Sequence, residues 1–453
     1  MANSYLSFTQ AAGTSRRKFT YSVWMKRSTI DTTGSYNSGF FNCWSDANNR
    51  LASYFYDNKL FLYGLSGGSA NIAVRTNRLF RDTSAWYHIV IAVDTTQGTA
   101  SDRIKFYVNG VQETSFDQTT YPAQDHDLPS VGVNAKAIEV GRVNFGDQST
   151  YYYMDGNLSH VAFVDGTALT PTSFGETDST SGIWKFKSPS GVTWGTNGFH
   201  LKFENSGAMG TDSSGNTNTF TVNGSLKQSI DTPSNVYPTL NPAFNLSDIQ
   251  LTEAGMRTKN TNSNWKYINS TLAAPSGKWY CEHKININGG AVLVGVTDMQ
   301  YATSQDKNSY THCGAGTGGV GFYHADGNKY IQASATSFAG SYTTGDIIGC
   351  ALDMDNNKVY FSKNGTWANG SGGYGSSTFD AAVGAITLPT TDATYGFAVS
   401  VVSNSVVQSN FGTGQFGETT ISSAGSNGNG SLFEYDVPSG FYALNTKNIN
   451  TYG

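Results

Sequence analysis

Several short patterns in the 453-residue chain carry the residue types of familiar chemistry. Gly64-Leu65-Ser66-Gly67-Gly68 matches GxSxG, in which a nucleophilic serine sits on a sharp strand-to-helix turn. The residues that follow, SANIAVRT, alternate like another strand, so a hairpin turn is expected. Gly314-Ala315-Gly316-Thr317-Gly318-Gly319 matches GxGxxG, but a helix must follow such a loop to aim its dipole at a phosphate. A strand-like run, Gly319 to Tyr323, follows instead. Asp353-Met354-Asp355-Asn356-Asn357 opens like a calcium loop, yet Lys358 stands where that loop needs Gly and Asn364 where it needs a bidentate Glu. The seven histidines (His88, His126, His160, His200, His283, His312, His324) form no HExxH motif and no i,i+4 pair. His88 and His160 fall in strand runs and read as core or face residues. Cys43, Cys281, Cys313 and Cys350 show no CxxC spacing. Cys281 and Cys350 lie in strand-like runs, where a small buried thiol is expected rather than a disulfide or a metal ligand.

The chemistry that remains is aromatic and small-polar. Sugar recognition stacks a pyranose on Tyr or Trp while Asn, Asp and Ser satisfy its hydroxyls, and loops at the ends of a sheet structure usually carry such residues. The candidate ligand-binding residues are Tyr36, Trp44 and Tyr151 in the first half and Tyr301, Tyr310 and His312 in the second. The competing reading for each is packing against loops or neighbouring subunits. Trp24, Trp86, Trp279 and Trp367 sit in strand runs and read as core.

The elements that must position these residues are strands. Charged residues make up 13% of the chain, against roughly 25% in ordinary soluble proteins. Aromatics also reach 13%, and Gly fills 51 positions. Helix formers are scarce, whereas β-branched and aromatic residues with Gly/Asn turns recur throughout. Phe19–Met25, Trp86–Asp94, Ile104–Val108, Ile138–Val143, Tyr153–Val164, Phe199–Phe203 and Thr219–Val222 read as strands. No long amphipathic helix is expected. Asp231 to Pro242 holds three of the chain's ten prolines and reads as an extended connector. The expected organisation is a sandwich over 1–176, a β-rich appendage and connector over 177–242, a second sandwich over 243–418, and a Gly/Ser/Asn-rich segment with tail over 419–453. The halves share a local grammar. A buried strand closes at Asp94 or Asp353, and the returning strand ends at Asn109-Gly110 or Asn364-Gly365.

These residues carry a family resemblance. The runs FTYSVWMK (19–26), WYHIVIAVD (86–94), IKFYVNG (104–110) and MDGNLSHVAFVDGTALTP (154–171) resemble a laminin-G-like, concanavalin-A-type jelly roll. GKWYCE (277–282), VGFY (320–323), GDIIGCALDMDNNKVYFSKNGTW (345–367), YGFA (395–398) and NFG (410–412) resemble a SPRY domain. The resemblance implies an all-β fold of two concanavalin-A-like antiparallel β-sandwiches in tandem. Concanavalin-A-like glucanases carry E-x-D-x-x-E on a strand, which sets two carboxylates on one face for glycosyl transfer. No such run occurs here, and no enzyme activity is expected. Laminin-G-like domains often bind Ca²⁺ through a rim of Asp and Asn. That makes Asp94, Asp102 and Asp155 candidate ligands, although their spacing defines no site, and no other cofactor is expected.

TNGFHLKFENS (196–206), DTPSNVYPTLNP (231–242) and the terminal VPSGFYALNTKNI (437–449) resemble segments of virion proteins from marine tailed phages, including cyanophage-type tail fibres. The function this implies is a bacteriophage virion surface protein of fibre or tip type, used for host attachment through a cell-surface glycan or receptor. The alternatives are a capsid or tail decoration protein with a structural role, and a polysaccharide depolymerase. Other virion proteins are expected partners. Multivalent display strengthens weak single sites by avidity, so a homo-oligomer is expected, trimeric by analogy with fibres. The net charge of −5 offers no basic stripe for nucleic acid. No apolar run approaches the length of a membrane span, and MANSYLSFTQ resembles no secretory signal. Localisation on the virion surface, after assembly in the host cytoplasm, is the expectation that follows.

Overall fold

The computed structural model describes residues 3–31, 37–145, 151–243, 249–287, 289–304 and 312–453. Two compact units divide the chain, Met1–Gln228 and Ser229–Gly453. Each is built from antiparallel sheets, as the composition and alternation require.

In the first unit an eight-stranded sheet faces a six-stranded sheet. Alternate residues of the two sheets point inward and form one core, with Leu6, Phe41, Leu62 and Ile138 from one side and Phe19, Val23, Ile91, Phe106 and Phe163 from the other. Strand Lys18–Arg27 sits inside the six-stranded sheet and is buried on both faces after its first residue. Its second face is covered by the chain that follows the sheet. Val90, Ala162 and Val164 pack under Phe174, with Leu169, Val192 and Trp194 against them. The stretch 177–242, read as an appendage and connector, is therefore divided. Residues 177–228 belong to the first unit and residues 229–242 to the second.

The second unit pairs a nine-stranded with a six-stranded sheet over a core that includes Trp279, Val294, Phe322, Leu352, Phe361 and Phe397. Leu240, from the proline-rich stretch, is buried in this core. The tail also belongs here: Phe433, Val437, Phe441 and Ala443 cover Tyr280, Ala351 and Tyr360 on the outer face of the nine-stranded sheet. Tyr442–Ala443 pairs in parallel with Trp279–Tyr280, and the short helix Thr446–Tyr452 starts at an Asn445 cap whose side chain accepts from the Asn448 amide at 2.8 Å.

The grammar shared by the halves is a shared meander. Lys18 faces Asp94 and Lys278 faces Asp353 across the strand pairs, with ion-pair distances of 3.2 and 3.1 Å. The turn asparagines act alike too. Asn109 Oδ1 accepts from the His88 amide and Asn364 Oδ1 from the Ile347 amide, both at 2.8 Å. The GxSxG serine lies at the hairpin where Ser66 pairs with Ser69. The four cysteines are buried free thiols.

Candidate functional site

In the first unit, the candidate site grows from the outer face of the eight-stranded sheet. Register places Ser7, Glu139, Asn42, Ala52, Tyr63 and Ala73 in one row across that face. The next row sets Ala137, Trp44 and Arg50 side by side. A two-stranded ribbon, Arg142–Asn144 with Tyr151–Tyr153, lies on the same face. Gly39 permits that close approach, because a Cβ there would stand 2.6 Å from the Val143 amide nitrogen and 2.7 Å from the Tyr152 carbonyl.

The ribbon brings Arg142 over Glu139. The two form an ion pair, and Glu139 Oε2 accepts from Asn42 Nδ2 at 2.9 Å. The Arg142 guanidinium lies 3.4 Å from the Tyr5 ring centre and 4.4 Å from that of Tyr151. Burial opposes its charge, but the hydrogen bond to Glu139 prevails and raises its pKa. A continuous path thus runs from Trp44 through Asn42, Glu139 and Arg142 to Tyr151. Arg50 closes the other side of Trp44. Its Nη1 donates to the Ala47 carbonyl at 2.6 Å, whereas its Nε has no acceptor among the described residues. Burial lowers its pKa, and its guanidinium stands 6.0 Å from the Phe145 ring centre. Asn42, Glu139 and Arg50 are buried, so what this face offers a ligand is the half-exposed rings of Trp44 and Tyr151. Both Glu139 oxygens are engaged, so this carboxylate is poorly placed to donate a proton.

Of the six expected binding residues, Trp44 and Tyr151 fall on this one face. Tyr36 and Tyr310 lie outside the described residues. Tyr301, expected on a loop, is on the short helix Met299–Ser304, with its ring against Gly318. His312 packs edge-on against Trp265 and Tyr330 on the outer face of the six-stranded sheet of the second unit. Sequence alternation did not mark Arg50, Glu139, Arg142, Trp265, Tyr323 or Tyr330. Only their strand register signals them.

The calcium candidates do not assemble. Asp94 takes Thr96 and Gln97 as donors and pairs with Lys18, and Asp102 pairs with Lys105. Among the described residues no three His, Cys, Asp or Glu side chains are arranged to hold an ion. No described helix is long and apolar enough to cross a membrane.

Each unit is an antiparallel β-sandwich. Residues 1–173 match the family described as the concanavalin A-like lectin/glucanases superfamily (Laminin_G_3), and residues 278–413 match the SPRY domain. The chain therefore carries a laminin-G-like, concanavalin-A-like domain followed by a SPRY domain. Domains of these two kinds generally mediate protein or glycan binding. The dual specificity protein kinase splA of Dictyostelium discoideum is 26% identical over 102 residues, which are 20% of this chain and 4% of that protein. The Ran-binding proteins 9/10 homolog of Drosophila melanogaster is 29% identical over 101 residues, 21% of this chain and 10% of that protein. The chain thus spans a small fraction of these relatives' length. Among solved structures, a human SPRY domain is 20% identical and covers 36% of this chain and 94% of its own, with a TM-score of 0.27.

Proposed function

We propose that the chain is a non-catalytic surface protein of a bacteriophage particle that attaches to host-cell glycan through the outer face of its first unit. The observation that carries this reading is the path from Arg50 and Trp44 to Tyr151. It presents the half-exposed rings of Trp44 and Tyr151 on a rigid sheet, braced by the buried Asn42, Glu139 and Arg50. The phage setting is supported by the likeness of residues 196–206, 231–242 and 437–449 to marine phage virion proteins. Individual sites of this shallow kind bind weakly, and display in many copies supplies avidity.

The test is binding of the purified chain to host cells and to a glycan array, with competition against infection. Trp44→Ala is expected to weaken glycan binding roughly tenfold while leaving the fold intact, as for loss of one stacking ring. Saturating protein that neither binds nor competes would end the attachment reading. Antibody labelling of intact particles would then ask whether the protein serves as a decoration.

A further inference from the structure

Residues 176–193 of the first unit form a strap against the outer face of its six-stranded sheet, yet none of them is buried. Within the strap, Trp184–Phe186 pairs with Gly175–Thr177 in a ribbon separate from both large sheets. Among the described residues, one hydrogen bond ties the strap to the six-stranded sheet, from Trp184 Nε1 to His88 Nδ1 at 2.9 Å. The core beneath takes no side chain from 176–193. What holds the strap down is a set of ring contacts.

Three histidines of the sheet make those contacts. His88, His160 and His200 lie on the strands Tyr87–Asp94, Gly156–Asp165 and Phe199–Leu201, where Ile89, Val161 and Leu201 point into the core. His88 stacks on Trp184 (5.9 Å, 18°), His160 on Phe186 (3.6 Å, 11°), and His200 on Trp194 at the foot of the strap (5.9 Å, 16°). His160 reaches the strap from a bulge: the register slips between Ser159 and Ala162, and its φ is +47°. The rings of His160 and His200 are 5.6 Å apart. His160 Nδ1 and His200 Nε2 are buried without a hydrogen-bond partner among the described residues.

A proton on any of the three works against closure. His88 already uses both nitrogens, with Nε2 donating to Ser22 Oγ at 2.8 Å, so a proton at Nδ1 must displace Trp184. A charge on His160 faces His200 and Lys202, and a charge on His200 faces Lys202, with Asp212 opposing it. Ring faces return part of that cost. Burial is nevertheless the largest influence on each, and it lowers the pKa of His88 to about 3 and those of His160 and His200 to about 4. The strap's own charges pair among themselves, Lys185 with Glu176 at 3.5 Å and with Asp178 at 3.0 Å, and Lys187 is exposed. At the foot, Asp165 accepts from the Asn197 amide at 3.1 Å. A base whose closed pKa lies below its open value of 6.5 favours closure fully above that value and loses the contribution as pH falls toward the closed one.

We propose that residues 176–193 are an acid-released strap, which leaves the six-stranded sheet as the three histidines take protons while the sandwich beneath stays folded. Release uncovers His88 and His160 on the sheet and the rings of Trp184 and Phe186 on the strap. Strap and glycan face lie on opposite sheets, so failure of either reading leaves the other standing.

The experiment is amide hydrogen exchange on the full chain at pH 6.5, 5.5 and 4.5, corrected for the intrinsic rate at each pH. Peptides within 176–193 are compared with peptides covering Phe19–Met25 of the core. A two-stranded ribbon this short does not hold alone, so its amides exchange once the strap leaves the sheet. The opening constant of the strap should rise by at least about tenfold per pH unit as pH falls, one factor of ten for each proton that closure withholds. The core amides should stay protected over the same range. His88→Gln, whose amide oxygen can still accept from Trp184, should flatten the rise by up to about tenfold per pH unit. His160→Gln should flatten it in the same direction. Strap opening that stays flat with pH, or that rises in step with the core amides, overturns the proposal in the unmodified chain whatever the variants do.

Discussion

Replacing Glu282 by glutamine should remove a pH-dependent destabilisation from the second unit. Glu282 is 0% exposed, yet four donors surround its carboxyl group. The amides of Glu434 and Tyr435 donate at 2.8 and 2.9 Å, Tyr280 Oη at 3.3 Å and Asn410 Nδ2 at 3.4 Å. Burial dominates over these donors and pushes the pKa from 4.5 up to about 7. A carboxyl whose folded pKa exceeds its unfolded value favours folding fully below the unfolded pKa and loses that contribution as pH rises through the folded one. The window is therefore pH 4.5 to 7, and the shift corresponds to about 3 kcal/mol across it. The glutamine amide would keep the shape without the titration. Its NH2 end would face a backbone N–H that it cannot accept from, so the variant should be less stable than protonated Glu282 by about 1–3 kcal/mol, an offset that does not titrate. His283, on the same strand, has its pKa lowered by burial to about 3 and contributes the opposite slope, so the quantity to read is the difference between the two proteins at each pH. Amide hydrogen exchange in peptides covering Lys278–Ile287 supplies it, because intrinsic exchange cancels at equal pH. The stability of wild type relative to Glu282→Gln should fall by about 3 kcal/mol from pH 4.5 to 7.5. A difference that stays flat or rises would mean that the four donors, not burial, set the pKa, and would refute the reasoning.

In the first unit, His88 accepts from Trp184 Nε1 at its Nδ1 (2.9 Å), which leaves Nε2 to donate to Ser22 Oγ at 2.8 Å, and burial lowers its pKa to about 3. Its contribution is present above pH 6.5 and lost as pH falls toward 3, so this unit should lose about 1.4 kcal/mol per pH unit over that range, a slope that urea unfolding should find missing in His88→Gln. Gly39→Ala would drive a methyl group into the Val143 and Tyr152 backbone. Thermal unfolding should show a cost of about 2 kcal/mol, with the Tyr151 ribbon displaced and glycan binding weakened in parallel.

Strands with clean alternation were legible from sequence. Ile104–Val108 and Gly319–Tyr323 have the expected bounds, and Phe19–Met25 extends by a residue or two to Lys18–Arg27. The covers over the outer faces were not legible. They hold on through isolated large side chains, such as Trp184, Trp194, Phe433 and Phe441, spaced by Gly, Ser, Asn and Thr, so no period announces them. The candidate faces were half legible. Trp44, Tyr151 and His312 stand out as residue types, but what surrounds each depends on register between distant strands. Trp265 and His312 are an example: the missing side chain of Gly321 leaves room for Cys313 and Gly314 against the sheet, next to the His312 that meets Trp265.

Those covers also explain which faces are left to meet a partner. With Lys18–Asp94 matched to Lys278–Asp353, Ser22 and Glu282 occupy the same place, four residues along equivalent strands and on the outer face. Each is a buried polar group that reaches the chain trailing its sheet, Ser22 through His88 to Trp184 and Glu282 directly to Glu434 and Tyr435. Thr20 adds to the first, accepting from the Leu169 amide and donating to the Thr167 carbonyl, both at 2.7 Å. A buried polar group is costly without partners, so each anchor favours the closed cover over a frayed one and keeps the meander sheet shut. The opposite sheet in each unit is then the one whose outer face carries half-exposed aromatic rings, Trp44 and Tyr151 in the first and Trp265, His312, Tyr323 and Tyr330 in the second. The same division of labour in two units of different sequence is what is expected if the covers hold the fold together and the opposite faces are free to specialise.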